Sequence, residues 1–493
     1  MRRHKHSLSH YNLFSANQGQ LVPMACLEVL PGDTIQQRTS MLLRIAPLQN
    51  PLMHPVHARI HHWFVPYRLI WDEWEEFITG GEDGLNSSTY PTIDFSSSAI
   101  AKNSLGDYLG LPIGYNGSAS ALPFRAYAKI WNEWYRDQQI QTELTVDETS
   151  GPDTTTNTTL QNVAWEKDKF TSARGSEQLG PEVSLPLGTS ADVHHNAANN
   201  ADIQVYSDVN SQWRLMTTNS GSYLEASGAA GTGIKPDEAL YADLSNATAA
   251  TINDLREAFA LQKFAEWRNL YGGRYTEYLR ADFGTTSSDS RLQRPEYLGG
   301  GKQTVQFSEI IQSAPSINDT SDESVGELKG HGIAALRSNR YRRFFEEHGL
   351  LLSFLSVKPR TMYHQGVSKL WLKRTKEAFY NRHLEGLGSQ EIENQEIYHD
   401  HATPEGTFGY EDRYDEYRRE HSRVAGEFHD TLKDWHMARD FASDPALNST
   451  FIASNPTNRV YQATSAEQLR VMAQHSIQAR RVVSKVARRS TLV

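Results

Sequence analysis

The densest group of side chains that could do chemistry in this sequence is a run of four histidines: His54, His57, His61 and His62. Imidazole is a common zinc ligand and carries protons near neutral pH. On an extended strand His57 and His61 share a face, because side chains alternate with a period of two. Two imidazoles need a third ligand from elsewhere, and no HExxH motif accompanies them. His57 and His61 are therefore our metal candidates, against the alternative of hydrogen-bonded or interfacial histidines.

Sequence patterns of catalytic sites give no convincing match. No G-x-S-x-G occurs, the single cysteine, Cys26, has no imidazole near it in sequence, and the glycines before Lys302 lack the spacing of a phosphate-binding P-loop. Carboxylates flank Trp71 and Trp74, but their helical spacing predicts a solvated helix face. A glycan-cleaving enzyme would need two carboxylates about 5 to 10 Å apart in a cleft. We therefore predict neither an enzyme nor a cofactor, and keep the glycan-cleaving enzyme as a third hypothesis.

The composition is that of a large globular chain without disulfides. It has 493 residues, 38% of them hydrophobic, with 59 acidic residues against 49 Lys and Arg and a net charge of −10. This balance argues against a protein that coats nucleic acid along its whole length. One cysteine cannot form an intrachain disulfide, which suits a reducing cytoplasm. No apolar run is long enough for a membrane helix, and no secretory signal is expected.

Positive charge is concentrated at the two ends of the chain. The first acidic residue is Glu28 and the last is Glu467. Such ends are either solvated tails or arms that touch phosphate. Tyr11 and Phe14 follow the basic residues of the N-terminus and are candidates for stacking on nucleotide bases of single-stranded DNA. The alternative is that a neighbouring chain buries them. The DNA-facing candidates at the two ends are Arg2, Arg3, Lys5, Tyr11, Phe14, Arg480, Arg481, Lys485, Arg488 and Arg489.

Hydrophobic periodicity predicts strands at three places far apart in the chain. Residues 56–65 and 469–480 alternate with period two, and residues 349–357 are apolar on both faces, which is typical of a strand buried on both sides. Apolar spacing of three and four predicts helices at 70–81, 123–138 and 251–273, with glycine pairs ending the first and third. Strands spread over the whole chain, with helices between them, predict a mainly β fold that depends on long-range pairing.

Residues 191–250 differ from the rest of the chain. They are rich in Ala, Asn, Ser, Thr and Gly, with few apolar side chains to form a core. We predict an inserted, exposed protrusion there, whose scattered aromatic residues pack when several copies meet. The protrusion candidates are Tyr206, Trp213 and Tyr223.

Several segments in one order resemble the major capsid proteins of the Microviridae, the small single-stranded-DNA phages, and in particular their gokushovirus branch. The segments are HARIHHWFVPYRLIWDEWEEFITGG, LPFRAYAKIWNEWYRDQ, VSLPLG, TINDLREAFALQKFAEW, DSRLQRPEYLGGGKQTVQFSEI, FGYEDRYDEYR and LKDWHMARDF. The resemblance implies a single eight-stranded jelly roll with long helical loops. It further implies a T=1 icosahedral shell around a circular single-stranded DNA genome, with a protrusion at the threefold axes that contacts the host.

The same resemblance sets the expected domain organisation and partners. We expect a basic N-terminal arm at 1–27, the jelly-roll core at 28–137 and 251–480, an insertion at 138–250 with 191–250 as the threefold protrusion, and a basic end at 481–493. The expected partners are copies of itself, the single-stranded DNA genome, minor capsid and scaffold proteins, and a receptor on the bacterial surface. The expected location is the virion, assembled in the bacterial cytoplasm.

Aromatic and arginine residues near the predicted helices are candidates for contacts between subunits, because such side chains anchor protein interfaces. Packing inside one subunit is an equal alternative for the tryptophans. The interface candidates are Trp71, Trp74, Trp131, Trp134, Arg291, Arg294 and Tyr297. The alternative function is a phage attachment or spike protein, which would stop at a small oligomer.

Overall fold

The computed structural model describes residues 2–181, 183, 252–311, 313 and 326–486, and the backbone of the strands between 192 and 243. The strands, in chain order, are β1 His4–Ser7, β2 His10–Ala16, β3 Val22–Val29, β4 Thr34–Ile45, β5 Val56–Pro66, β6 Thr92–Asp94, β7 Ser118–Ser120, β8 Asp192–His195, β9 Gln204–Ser207, β10 Gln212–Thr218, β11 Leu224–Ala230, β12 Leu240–Asp243, β13 Glu296–Thr304, β14 Gln306–Ile311, β15 Leu328–Arg337, β16 Tyr341–Phe344, β17 Gly349–Pro359, β18 Ser389–Glu393, β19 Thr407–Asp412 and β20 Leu469–Arg481.

The helices lie in the connections between strands. They are α1 Trp74–Thr79, α2 Leu105–Leu109, α3 Leu122–Ile130, α4 Ile252–Tyr271, α5 Tyr275–Phe283, α6 Lys369–Leu372 and α7 Ser449–Ile452. A π-helical turn, Trp131–Tyr135, continues α3. The 3-10 turns are Tyr67–Leu69, Lys376–Ala378, Asn394–Glu396, Asp415–Tyr417, Gly426–His429 and Lys433–Trp435. No helix in the described ranges has the length and apolar character needed to cross a membrane.

The chain divides into two compact units. The first contains Met1–Glu177 and Asn269–Val493, and the second contains Gln178–Arg268. The boundary therefore falls near the C-terminal end of α4. In the second unit β10 lies between β9 and β11, and β8 pairs with β12. Trp213 on β10 is in register with Tyr206 on β9, while Tyr223 lies outside the described residues.

Two antiparallel sheets form the centre of the first unit. One has seven strands in the order β1-β20-β4-β15-β14, with β2 also paired to β20 and β16 to β4. The other has four strands in the order β13-β5-β17-β3. Two further pairs, β6 with β7 and β18 with β19, form small separate sheets. A mainly β, jelly-roll-type sandwich with helical insertions is thus confirmed, and its two main sheets do not close into a barrel. The predicted strands correspond to β5, β17 and β20, and the predicted helices to α1, α3 with its π turn, and α4.

Apolar side chains from both sheets meet in one core. Strand β20 shows how the sequence specifies this, because its odd-numbered residues from Leu469 to Ala479, including the polar His475, are buried while the even-numbered residues are exposed. On the opposite sheet, β17 is buried along its whole length. One of its faces packs into the shared core, and the other is covered by α3 and the residues around it.

A network of polar side chains joins the two sheets inside this sandwich. His62 of β5 hydrogen-bonds to Ser353 at 2.8 Å and to Ser338, beyond the end of β15, at 3.2 Å. Gln37 of β4 donates to the same Ser353 Oγ at 3.0 Å and accepts from Tyr341 at 2.7 Å. Because every one of these groups is buried, their mutual hydrogen bonds replace those lost to water.

His475 of β20 extends this polar layer. Its Nδ1 lies 2.9 Å from Thr39 Oγ1, and its ring stacks on His10 with 4.9 Å between centroids. Burial is the main cause that lowers the pKa of His62 to about 3 and the pKa of His475 to about 4. Both histidines are therefore neutral at pH 7 in the folded chain.

Candidate nucleic-acid interface and assembly surface

The outward side of the seven-stranded sheet carries an array of cations. Strand alternation turns every second residue of β4, β15 and β20 away from the core, and all three strands place arginine among those residues. We call this set the basic face. Its members are Lys5, Arg38, Arg44, Arg337, Arg342, Arg470 and Arg480.

One further outward cation of this sheet, Lys329 of β15, is paired with Glu327 at 3.1 Å and is not counted in the basic face. The outward positions in these strands contain only cationic, polar and apolar side chains, with no Asp or Glu. Within the described part of the chain, none of the seven cations has a carboxylate within ion-pair distance. An unpaired surface of this kind is exceptional in a chain whose net charge is −10, and it creates a local positive potential that attracts a polyanion.

Strand register places like charges directly opposite each other on this face. Arg44 of β4 is in register with Arg470 of β20, and Arg480 of β20 is in register with Lys5 of β1. Like charges opposite one another destabilise a sheet by several tenths of a kcal/mol up to about 1 kcal/mol. These like-charge pairs destabilise the isolated chain, but the repulsion is removed when phosphate groups neutralise the charges. The arrangement is therefore suited to binding a nucleic-acid backbone.

The structure divides the DNA-facing candidates into four groups. Lys5, Tyr11 and Arg480 lie on the outward side of the sheet, and Tyr11 is 64% exposed. Arg2 is exposed, Arg3 stacks over the Phe344 ring at 5.0 Å, and Lys485 is exposed beyond β20. Arg488 and Arg489 lie outside the described residues.

Two of the candidates have structural roles inside the chain. Phe14 is partly buried against the shared core, and its ring makes a T-shaped contact with Tyr108 at 6.1 Å between centroids. Arg481 forms an ion pair with the buried Asp33 at 2.7 Å. Both lie one residue out of phase with the outward positions of their strands, and the alternation turns them inward. In the described structure neither side chain lies on the outward side of the sheet, and their contact with DNA stays a prediction.

Five members of the basic face, Arg38, Arg44, Arg337, Arg342 and Arg470, were not among the DNA-facing candidates from the sequence. Arg38 and Arg44 lie in β4, whose pattern Thr34–Ile45 alternates buried and outward residues as regularly as β20 does. That periodicity could have revealed both arginines. Arg337 and Arg342 have no such local signal, because only the pairing of β15 and β16 with β4 brings them to this face.

The histidine candidates for a metal site have other partners. His61 Nδ1 lies 2.7 Å from the Tyr135 hydroxyl, and His57 Nδ1 lies 3.2 Å from Thr304 Oγ1. Burial, followed by the nearby Arg59 and Lys358, lowers the pKa of His61 to about 4. In the part of the chain that the structure describes, no three His, Cys, Asp or Glu side chains are placed to hold a metal ion.

Comparison with known proteins identifies the family. A family model described as capsid protein (F protein) matches residues 1–490. Capsid protein VP1 of Bdellovibrio phage phiMH2K is 37% identical over 455 residues, covering 88% of this chain and 85% of that protein. Capsid protein VP1 of Chlamydia phage 1 is 31% identical over 538 residues, covering 92% and 90%. The chain belongs to the phage capsid protein (F protein) family.

Capsid protein VP1 of Spiroplasma virus 4 is a further relative, 28% identical over 493 residues and covering 92% of this chain and 88% of that protein. The resemblance to Microviridae major capsid proteins is therefore confirmed, as is the prediction that the chain is not an enzyme. A capsid protein is a structural component of the virion and works by associating with copies of itself.

In this F-type capsid protein, most of the predicted interface tryptophans lie inside one subunit. Trp71 and Trp131 are buried in the core beside the four-stranded sheet, which is the alternative that the sequence left open. Trp74 packs on Tyr67 with 4.6 Å between centroids. Trp134 is covered on one face by the Arg294 guanidinium at 4.3 Å. Their large apolar area stabilises the subunit itself.

Exposed members of the candidate set remain available for contacts between subunits. Arg294 is held by Asp289 at 2.8 Å, whereas Arg291 and Tyr297 are exposed. Helices α4 and α5 present further apolar side chains to solvent. Large residues exposed on the two helices include Ile252, Phe259, Leu261, Phe264, Tyr275 and Phe283. Exposed apolar clusters of this kind mark association surfaces.

Proposed function

We propose that this capsid protein forms a T=1 icosahedral shell around a circular single-stranded DNA genome and that its basic face is turned toward the DNA. The observation that carries the proposal is the absence of acidic residues from the outward positions of a sheet with seven cations. Repeated over many subunits, these cations neutralise phosphates without reading sequence. Tyr11, exposed on the same side, adds a surface on which a base stacks.

The shell itself follows from many weak contacts that add around a closed assembly. We place those contacts on Arg291, Tyr297 and the exposed apolar side chains of α4 and α5. Residues 191–250, which belong to the second unit, are the proposed threefold protrusion that touches a receptor on the bacterial surface. The proposed partners beyond the DNA are minor capsid and scaffold proteins, and the proposed place of assembly is the bacterial cytoplasm.

The decisive experiment is a size measurement on the purified full chain, by sedimentation with imaging of the same sample and a nuclease-protection assay. We expect closed particles tens of nanometres across that protect single-stranded DNA. If the chain remains a monomer or small oligomer even after scaffold and DNA are added, the shell is refuted and the attachment protein becomes the better explanation. Empty closed shells would refute the role of the basic face only.

Replacing Phe283 of α5 with serine tests the assembly surface. Phe283 is 63% exposed in the single chain, so its loss leaves subunit folding intact. If a neighbouring subunit covers it, the loss removes about 1.5 to 3 kcal/mol of apolar burial per contact. We expect the subunit concentration needed for assembly, measured by light scattering, to rise at least tenfold.

The matched control is Arg280→Ser on the same exposed helix, which introduces the same serine without removing apolar surface. An equal effect of both substitutions would show that helix propensity, and not apolar contact, controls assembly. Unchanged assembly of the Phe283 variant would remove α5 from the interface.

A further inference from the structure

We propose that a cavity beside the four-stranded sheet is a binding site for a phosphate group. The cavity has a volume of about 850 Å³ and is lined by residues of β5, β13 and β17, the segment 163–174 and several surrounding loops. It lies on the face of the four-stranded sheet that points away from the shared core, whereas the basic face belongs to the seven-stranded sheet. The two sites are therefore separate, and this proposal does not depend on the genome-facing role of the other.

Strand alternation and register bring the cations of the cavity together. Arg59 lies at the centre of the arrangement on β5, with Lys302 of β13 opposite it on one side and Ser356 of β17 on the other. One row further along, Lys358 of β17 lies opposite His57 of β5. Since residues two apart on a strand share a face, three cations from three neighbouring strands point to the same side of the sheet.

The cations at this end of the cavity outnumber the carboxylates. Glu166 accepts from Arg59 Nη2 at 2.6 Å and lies 3.4 Å from Lys302 Nζ. Lys358 is only 8% exposed, and its ammonium donates to the Ala164 carbonyl at 2.5 Å. Among the described residues no carboxylate forms an ion pair with Lys358. Three cations against one carboxylate leave an excess of two positive charges.

Buried donors at the same cavity have no acceptor. The Nε atoms of Arg59 and of Arg136, which also lines the cavity, are buried and have no hydrogen-bond partner in the described part of the chain. Lys358 has three donor hydrogens and a single carbonyl as acceptor. Buried polar groups are normally satisfied, so the donor hydrogens left over on Lys358, which lines the cavity, point to an acceptor-rich ligand.

The pKa values of Lys358 and His57 are both lowered, in part by the neighbouring cations of the cavity. The pKa of Lys358 is lowered to about 8, first by burial and then by Arg59. The pKa of His57 is lowered by burial and then by Lys302. A charge that makes its neighbours easier to deprotonate is positive, and it favours a bound anion.

Phosphate matches this site better than a smaller or singly charged anion. A hydrogen phosphate dianion neutralises the excess of two charges, and its oxygens accept from a guanidinium and two ammonium groups at once. The volume also leaves room for an organic group attached to the phosphate. Inorganic phosphate, a nucleotide and a DNA phosphodiester share this chemistry, and they are separated by the test.

The test follows the unfolding temperature of the full-length protein at constant ionic strength as chloride is replaced by inorganic phosphate. We expect a saturable rise for the wild type, because a ligand that binds only the folded state stabilises it. Lys302→Met removes a cation whose side chain is 46% exposed, so the fold tolerates it. Loss of one charged hydrogen bond weakens phosphate binding by roughly tenfold or more.

Lys358→Met is the second variant and should abolish the rise. Lys376→Met is the matched control, because that lysine is 92% exposed and is not among the residues that line the cavity. An equal rise in all four proteins, or none in the wild type, would overturn the proposal.

Parallel titrations with AMP and with an oligo(dT) that lacks terminal phosphates separate the sources. A response to phosphate and AMP alone assigns the site to a small phosphate ester. A response to oligo(dT) that is lost in Lys302→Met assigns it to the DNA backbone. A variant of the basic face should keep the response in either case, so failure of one proposal leaves the other testable.

Discussion

Substituting glutamine for Arg44, Arg470 and Arg480 together should weaken the hold of the particle on its DNA while making the DNA-free subunit more stable. Each arginine that contacts a phosphate contributes about −0.7 to the slope of log binding constant against log salt for single-stranded DNA, so the slope should become shallower by about 2. At 0.15 M salt this corresponds to roughly a tenfold to hundredfold loss of affinity. The measurement is DNA retained by particles, or oligo(dT) bound by subunits, across a salt series.

The gain in stability has a separate cause. Arg44 and Arg470 are in register on neighbouring strands, as are Lys5 and Arg480. Removing like charges from opposed positions should raise the free energy of unfolding by about 0.2 to 1 kcal/mol per pair. Opposite effects on DNA binding and on stability distinguish an interface from ordinary surface charge, because general damage to the fold would lower both.

Arg382→Gln is the matched control, since Arg382 is exposed, lies in a loop and has no ion pair in the described structure. It should change neither the salt slope nor the unfolding free energy. An unchanged salt slope in the triple variant would contradict the assignment of the basic face to DNA, even if DNA content fell for other reasons.

The sequence predicts those parts of the basic face that depend on residues close together in the chain, and not those that depend on pairing between distant strands. The alternation of β20 is visible locally, and it identifies Arg470 and Arg480 as outward and Ile477 as buried. Their pairing with β4 joins residues more than 400 positions apart, and nothing local encodes that register. Arg44 therefore belongs to the interface for a reason that only the folded sheet reveals.

The same limit applies to the cavity and to the tryptophans. Arg59, Lys302 and Lys358 come from three strands, so their juxtaposition is a property of the sheet and not of any motif. Trp71 and Trp131 were candidates either for subunit contacts or for packing inside one subunit, and both are buried in the subunit. Whether a stripe meets its own subunit or a neighbouring subunit is decided by tertiary packing, which also leaves Phe259 of α4 exposed.

Acidification from pH 7.5 to pH 5 should destabilise the sandwich through His62 and His475. Both have a folded pKa far below the value of about 6.5 expected in the unfolded chain. A group with a depressed folded pKa contributes stability above its unfolded pKa, and this stability is lost as pH falls from about 6.5 toward the folded value of about 4 or below. At pH 5 each histidine costs about 2 kcal/mol, so the pair accounts for about 4 kcal/mol.

The double variant His62→Gln and His475→Gln isolates this contribution. Glutamine keeps a hydrogen-bonding side chain but takes up no proton, so the variant should lose about 4 kcal/mol less than the wild type between the two pH values. Denaturant unfolding at each pH measures the difference. Because the readout is a difference between pH values, a constant loss of stability in the variant at pH 7.5 does not affect it.

The surroundings of the two histidines explain why the effect should be large. A proton on His62 would lie between the two sheets, where its partners are the hydroxyls of Ser353 and Ser338 and its neighbours are Tyr341, His61 and His475. The ring beside His475 is another imidazole, His10. No carboxylate forms an ion pair with either histidine in the described residues, so the new charge is not compensated.

An exposed histidine provides the control. His383→Gln, in a solvent-exposed loop, should leave the pH dependence of the wild type unchanged. If the double variant instead lost as much stability as the wild type between pH 7.5 and 5, the acid sensitivity would have to come from other groups, among them the buried His54, whose pKa is lowered to about 4 mainly by burial. A wild type without acid sensitivity in this window would contradict the prediction, because it would mean that the folded and unfolded chains take up the same number of protons.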